Sequence, residues 1–262
     1  METFRLERGT VPLLVSLPHD GTALPEDIAP TLTDAARRVP DTDWHVARLY
    51  AFVRDLGASL IVPVYSRYVI DLNRPPDDAS LYPGQNTTGL CPTVQFDGSP
   101  VYREGSIPDA AEIARRRETY WRPYHAALAS ELDRLHARHG HVTLWDGHSI
   151  RSRVPFLFDG RLPDFNLGTA SGTSCSNALQ EELAGVLARQ PIFSHVINGR
   201  FKGGYITRHY GRPADGIDAV QLELAQLNYM DEVSFEYQPE LAAPTAAVIR
   251  RLLQTVLDGA VG

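Results

Sequence analysis

Val11-Pro-Leu-Leu-Val-Ser-Leu17, followed at once by Pro18-His19-Asp20-Gly21, is the stretch on which the reading of this chain turns. A short apolar run rich in Val and Leu, closed by Pro and Gly, has the length and punctuation of a buried strand. The same arrangement recurs twice. His141-Val-Thr-Leu-Trp145 runs into Asp146-Gly147-His148-Ser149, and Ala219-Val-Gln-Leu222 runs into Glu223. In an open α/β sheet, ligands and chemistry sit in the crevice outside the carboxyl ends of the strands. Two histidines and a glutamate delivered there from distant parts of the chain read as one assembled site, and that combination points to a mononuclear metal hydrolase.

Working outward, strand-like runs are expected at 11–17, 59–65, 68–72, 142–146 and 218–223, with a weaker one at 194–198. Helical spacing covers 26–38, 43–56, 109–139, 174–189 and 244–258. Asp109 and Glu112 form a capping-box pair at the start of the long central helix. The alternation predicts a single α/β domain over residues 1–262, with a central mixed, mainly parallel sheet flanked by helices on both faces. Residues 74–108 break the pattern, being rich in Pro, Gly, Asp and Thr and lacking periodicity. A loop of that length in a compact domain is usually functional. It is expected to lie over the site as a rim or lid.

Composition removes several classes of function. The 262-residue chain carries a net charge of −7 and no cluster of basic residues interleaved with aromatics, so nucleic acid is not an expected partner. Arg115-Arg116-Arg117, flanked by Glu112 and Glu118, reads as a solvated helix face. No apolar run approaches the roughly 20 residues of a membrane span, and the N-terminus has no signal-peptide core. The two cysteines, Cys91 and Cys175, suggest no disulfide framework. The expected protein is cytoplasmic, with no membrane partner.

A catalytic zinc takes three protein ligands, commonly two histidines and a carboxylate, and keeps a fourth position open. His19 and His148 each sit in a sequence that reads as a turn after a strand. For the carboxylate, Asp41 and Asp43 both stand in Pro40-Asp-Thr-Asp-Trp-His45, at the mouth of the helix expected to follow. An acid in that place is often only a cap. Asp41 fits the cap, so Asp43 is preferred as the ligand. His125, His136, His139 and His141 lie in or beside a polar helix and are expected to be solvated. His45 is expected to point elsewhere on its helix, and His195 and His209 stay ambiguous. Gly168-Thr-Ala-Ser-Gly172 is not a nucleophile elbow, because its serine comes one place too late.

Ser66-Arg67-Tyr-Val-Ile-Asp71-Leu-Asn73-Arg74 carries more polar groups than a strand tolerates unless they line a site or pair with one another. A guanidinium offers a planar fork for a carboxylate, which suits Asn73 and Arg74 to clamping an acidic substrate. Arg67 could face a developing oxyanion, and Asp71 could simply pair with Arg74. Arg151 and Arg153 follow His148, while Arg200, Lys202 and Arg208 precede Glu223. An acidic protein that gathers cations near its site is expected to take a small anionic substrate.

Ser-Leu-Pro-His-Asp-Gly, Asp-Thr-Asp-Trp-His-Val-Ala-Arg-Leu-Tyr, Ser-Arg-Tyr-Val-Ile-Asp-Leu-Asn-Arg-Pro, Leu-Tyr-Pro-Gly-Gln, Asp-Gly-His-Ser and Gln-Leu-Glu-Leu occur in that order. Together they resemble the N-formylglutamate amidohydrolases, or deformylases, from about residue 10 to beyond 230. That family is similar to zinc carboxypeptidases and aspartoacylase, which implies a phosphorylase/hydrolase-like fold. It also implies zinc-dependent hydrolysis of N-formyl-L-glutamate to formate and L-glutamate, in histidine degradation. By position, the resemblance makes His19, Asp43 and His148 the metal ligands and Glu223 the catalytic glutamate. Arg67 matches the oxyanion arginine and Asn73-Arg74 the carboxylate pair, with Arg151 or Arg153 a candidate second cation. The chain departs from the zinc peptidases in one respect: no acidic ligand stands three residues after His19. Two other readings stay open, a zinc amidase for a different N-acyl amino acid or peptide, and a non-catalytic binder of acidic metabolites.

Overall fold

The computed structural model describes residues 2–80 and 88–259. A seven-stranded sheet runs through the middle of the molecule. Its strands are β1 (Phe4–Glu7), β2 (Leu13–Ser16), β3 (Ser59–Pro63), β4 (Val142–Ile150), β5 (Phe165–Gly168), β6 (His195–Ile197) and β7 (Ile217–Ala225). They are arranged in the order β1-β3-β2-β4-β7-β5-β6. The centre, β3-β2-β4-β7, is parallel, while β1 and β5 join antiparallel to β3 and β7. The sheet is therefore mixed and mainly parallel, as the alternation of strand-like and helical segments predicts.

Helices cover both faces: α1 (Val46–Leu49), α2 (Ala110–Arg116), α3 (Arg122–His139), α4 (Asn177–Arg189), α5 (Tyr205–Tyr210) and α6 (Pro239–Gly259). Strand side chains alternate between faces, and the core divides accordingly. Leu13, Val15, Trp145, Val220 and Leu222 pack with α4 and α6 on one side. Leu14, Val142, Leu144 and Ala219 pack with Leu128, Leu132 and Leu135 of α3 on the other. No described helix is long and apolar enough to cross a membrane.

Several local expectations change. The helices expected over 26–38 and 43–56 are mostly single 3₁₀ turns, with α1 alone truly helical. The first is broken at Leu32, which takes an extended conformation with ψ 151° just after the turn Ala29–Thr31. In the second, His45 takes a left-handed conformation with φ 64°, which delays the helix to Val46. Residues 68–72 form turns rather than a strand, pinned by Asp71 N donating to Leu90 O at 2.7 Å. Two strands escaped the sequence reading. β1 is a short edge strand, and β5, Phe-Asn-Leu-Gly, is only four residues long, too short for its alternation to stand out. Arg116 is fully buried rather than solvated, and so is His125.

Strand length positions the site. Ser16, the last residue of β2, pairs with Asp146, yet β4 continues to Ile150 and β7 alongside it to Ala225. The Asp-Gly-His-Ser segment is thus strand, not turn. It forms a two-stranded ledge beyond the end of β2, with His148 directly opposite Glu223.

Candidate active site

Within β4, Asp146 and His148 are two residues apart and share a face, as do Gln221 and Glu223 in β7. His19 approaches from the turn after β2, where Gly21 lets the chain pass close to its neighbour. A Cβ on Gly21 would stand 2.3 Å from the Tyr65 carbonyl oxygen, so only glycine fits there. Asp43 lies in the turn before α1, its N–H donating to His19 O at 3.1 Å. Asp20 turns away to accept the Ala47 N–H at the start of α1 (2.9 Å), and burial pushes its carboxyl up to about 6.

The donor atoms converge. His19 Nδ1 lies 3.7 Å and His148 Nδ1 3.1 Å from Asp43 Oδ2. One ligand atom from each of His19, Asp43 and His148 lies within 4.8 Å of the others, and all three residues are buried. Each ring is steadied through its other nitrogen. His19 Nε2 donates to Asp71 Oδ1 at 2.7 Å, and His148 Nε2 lies 3.1 Å from Asp146 Oδ2. A carboxylate behind a histidine fixes its tautomer and raises its basicity, the usual support of a metal-binding imidazole. The residues fit a metal ion.

Electrostatics agree. Burial opposes the ionisation of Asp43, but His19 and His148 outweigh it and hold the carboxyl below its usual range. Burial likewise disfavours a charged His148, but Asp146 and Asp43 push its pKa well above the ordinary value. A field that favours an imidazolium there also favours a bound cation. Glu223 behaves differently. Burial is its dominant influence and pushes its carboxyl up to about 8.

Asp41 lies close in sequence but serves elsewhere. It accepts from Tyr68 Oη at 2.6 Å and from the Phe96 N–H at 2.8 Å, anchoring the segment that carries Phe96. It caps no helix. Asp71 pairs with Arg67 Nη2 at 2.6 Å rather than with Arg74. Arg67 also reaches His19 Nδ1 at 3.4 Å and stacks its guanidinium 4.9 Å from the Phe96 ring centroid, while its buried Nε has no partner among the described residues.

One cavity joins these groups. His19, Asp43, Arg67, Asn73, Arg74, His148 and Glu223 all line it, together with Thr88, Phe96, Arg200, Phe201 and Gln221. Arg151 and Arg153 are not among its lining residues: Arg151 points to Asp41 at 3.4 Å, and Arg153 is exposed. Asn73 is more committed than a simple clamp. Its amide nitrogen lies 3.1 Å from Asp146 Oδ2, and its oxygen accepts the Ile206 N–H at 2.8 Å. Gly204 allows that approach, because a Cβ there would stand 2.4 Å from the Asn73 amide nitrogen. Of the segment at 74–108, Arg74, Thr88 and Phe96 reach the cavity, while the Leu-Tyr-Pro-Gly-Gln motif at 81–85 lies outside the described residues.

Asp146 is a site residue beyond those expected from the sequence, although its spacing of two from His148 signals a shared strand face. Phe96 and Thr88 carried no signal, since only the folded loop brings them to the cavity.

Fold and site together define an α/β protein with a buried two-histidine, one-aspartate group that could hold a metal ion, set in an arginine-lined cavity. Comparison with known proteins refines that class. The family model for N-formylglutamate amidohydrolase matches residues 11–230. An N-formylglutamate deformylase of Pseudomonas putida is 55% identical over 251 residues, covering 95% of this chain and 94% of its own. One from Pseudomonas aeruginosa is 56% identical over 257 residues, covering 98% and 96%. The crystal structure of N-formylglutamate amidohydrolase from Ralstonia eutropha JMP134 superposes with a TM-score of 0.82 at 29% identity, over 99% of this chain and 97% of that one. A gene product of Agrobacterium tumefaciens shares the fold, with a TM-score of 0.72 at 16% identity over 98% and 96% of the two chains. The chain belongs to the N-formylglutamate amidohydrolase family.

Proposed function

We propose that the protein hydrolyses N-formyl-L-glutamate to formate and L-glutamate, with one divalent ion, zinc, held by His19, Asp43 and His148. The observation that carries the metal is the convergence of two Nδ1 atoms on Asp43, each ring backed by a buried carboxylate. Two histidines and a carboxylate are a common catalytic zinc set. When bound, the ion supplies Lewis acidity, which makes water a better nucleophile near neutral pH and polarises a carbonyl.

The remaining steps belong to the chain itself. Glu223 lines the same cavity and is the base that takes the proton from water and returns it to the departing amine. Its raised pKa suits both duties, and a nearby cation would draw it back toward the ionised form. Arg67 faces the oxygen on which charge develops as the formyl carbon becomes tetrahedral. Water forms the new C–O bond, the C–N bond breaks, and the amine leaves with the transferred proton. Glutamate carries two carboxylates and so needs two cations. Arg74 is assigned to the α-carboxylate and Arg200, rather than Arg151 or Arg153, to the side-chain carboxylate. Asn73 contributes by holding Asp146 and the start of α5 in place. Cys91 and Cys175 are buried and unpaired, in keeping with a reducing compartment such as the cytoplasm.

A substrate panel tests the reading. N-formyl-L-glutamate should be turned over best, N-formyl-L-glutamine less well, and an uncharged N-alkylformamide very poorly. Equal turnover of charged and uncharged formamides would indicate a general amidase. Preference for N-acetyl-L-glutamate would shift the substrate to another N-acyl amino acid, and binding without turnover would indicate a binder only.

A further inference from the structure

Between α2 and α3 the helix makes one π turn, Arg117–Trp121, closed by Arg122 N donating to Arg117 O. Single π turns inside α-helices are rare and often occur at functional sites. The wider turn brings residues five apart, Arg116 and Trp121, onto one face. That face meets the irregular segment 69–76, where backbone N–H groups serve the carbonyls of Asp71, Asn73 and Pro75 and side chains serve others. Arg116 Nη1 donates to Val69 O at 3.1 Å, His125 Nε2 to Leu72 O at 2.9 Å, Trp121 Nε1 to Arg74 O at 3.0 Å and Arg117 Nη1 to Pro76 O at 2.9 Å. Trp121 and His125 brace each other by stacking, their ring centroids 3.8 Å apart. From the opposite side, Ile206 N donates to Asn73 Oδ1.

The clamped segment carries Asp71 behind His19, Asn73 beside Asp146, and Arg74 in the cavity wall. Arg74 is also held at its outer end, where Nε donates to Thr88 O at 2.7 Å. We infer that Trp121 is a positioning residue: through the Arg74 carbonyl it sets the guanidinium for a substrate carboxylate, and the π turn exists to bring its indole there. The inference rests on the assignment of Arg74 to the α-carboxylate.

Trp121→Phe removes the N–H and keeps the aromatic packing. It is assayed on N-formyl-L-glutamate and on N-formyl-4-aminobutyrate, which lacks the α-carboxylate, beside Arg74→Lys and the double variant. First, Arg74→Lys must lose more on N-formyl-L-glutamate than on the analogue. If it loses equally on both, the assignment of Arg74 fails, and this inference with it. Given that discrimination, Trp121→Phe should raise KM for N-formyl-L-glutamate by about 3- to 10-fold, the worth of one hydrogen bond. It should leave the analogue nearly unchanged, and in the double variant its effect should largely disappear. Equal losses on both substrates, or full additivity with Arg74→Lys, would make Trp121 merely structural. Should Trp121→Phe not fold, replacing Trp121 with benzothienylalanine, which matches tryptophan in shape but has no N–H to give the Arg74 carbonyl, decides by the same comparison: a KM rise confined to N-formyl-L-glutamate supports the role, and a uniform loss or none refutes it.

Discussion

At the scale of single residues, what separates Glu223 from Asp43 is environment rather than type. Asp43 sits among histidines that favour its charge, whereas burial dominates at Glu223. The two carboxylates can therefore hold different protonation states in one cavity, as acid–base chemistry requires. Glu223→Gln should keep metal and substrate binding but lower kcat by about 10²–10⁴-fold, the usual worth of general acid–base catalysis. Steady-state kinetics beside metal analysis checks this: unchanged kcat removes the proton-transfer role, and lost metal makes Glu223 a ligand. That His19 and His148 come together was legible in the sequence, because each sits in a short polar interruption of an apolar pattern, whereas Asp43 was legible only as one of two candidates. The choice of Asp43 over Asp41 was reached through a helix cap that does not exist. What distinguishes the two is that Asp43 turns toward His19 and His148 while Asp41 turns toward Tyr68 and Phe96. Side-chain direction in a turn depends on contacts that no spacing rule encodes.

At the scale of elements, the long runs were legible and the irregular ones were not. β2, β4, β7 and the helical stretch at 109–139 follow from apolar periodicity and capping, while 68–72 reads as a strand only because Tyr68-Val-Ile70 resembles one. All three of these residues are buried, but outside any strand, with the Val69 carbonyl held by Arg116 at the end of α2. His125 is part of that fastening and has a pH consequence. Burial, outweighing its hydrogen bond to Leu72, lowers its pKa to about 3 from an ordinary 6.5, so it stays neutral in the fold. As pH falls below 6.5 the unfolded chain takes up a proton that the folded chain refuses, and stability declines until the folded pKa is reached. By pH 5 this group alone costs roughly 2 kcal/mol. Urea unfolding of wild type and His125→Gln at pH 7.5 and pH 5 should show the wild type losing about that much more. Parallel losses in the two proteins would remove His125 from acid sensitivity.

At the scale of the whole molecule, an acidic chain of net charge −7 lines one cavity with Arg67, Arg74 and Arg200. Its sheet supplies the platform, because β4 and β7 outrun β2 and carry His148 and Glu223 past it toward His19 and Asp43. The fold class was visible in the sequence, but this difference in strand length was not, since Asp-Gly-His-Ser reads as a turn until β7 is seen paired beside it. The central claim is that these parts make a metal-dependent deformylase. The most direct test measures zinc content and N-formyl-L-glutamate turnover on the same sample, before chelation, after it, and after zinc is restored. About one zinc per chain is expected, with metal and turnover lost together and recovered together. Undiminished turnover by the metal-free protein would contradict it.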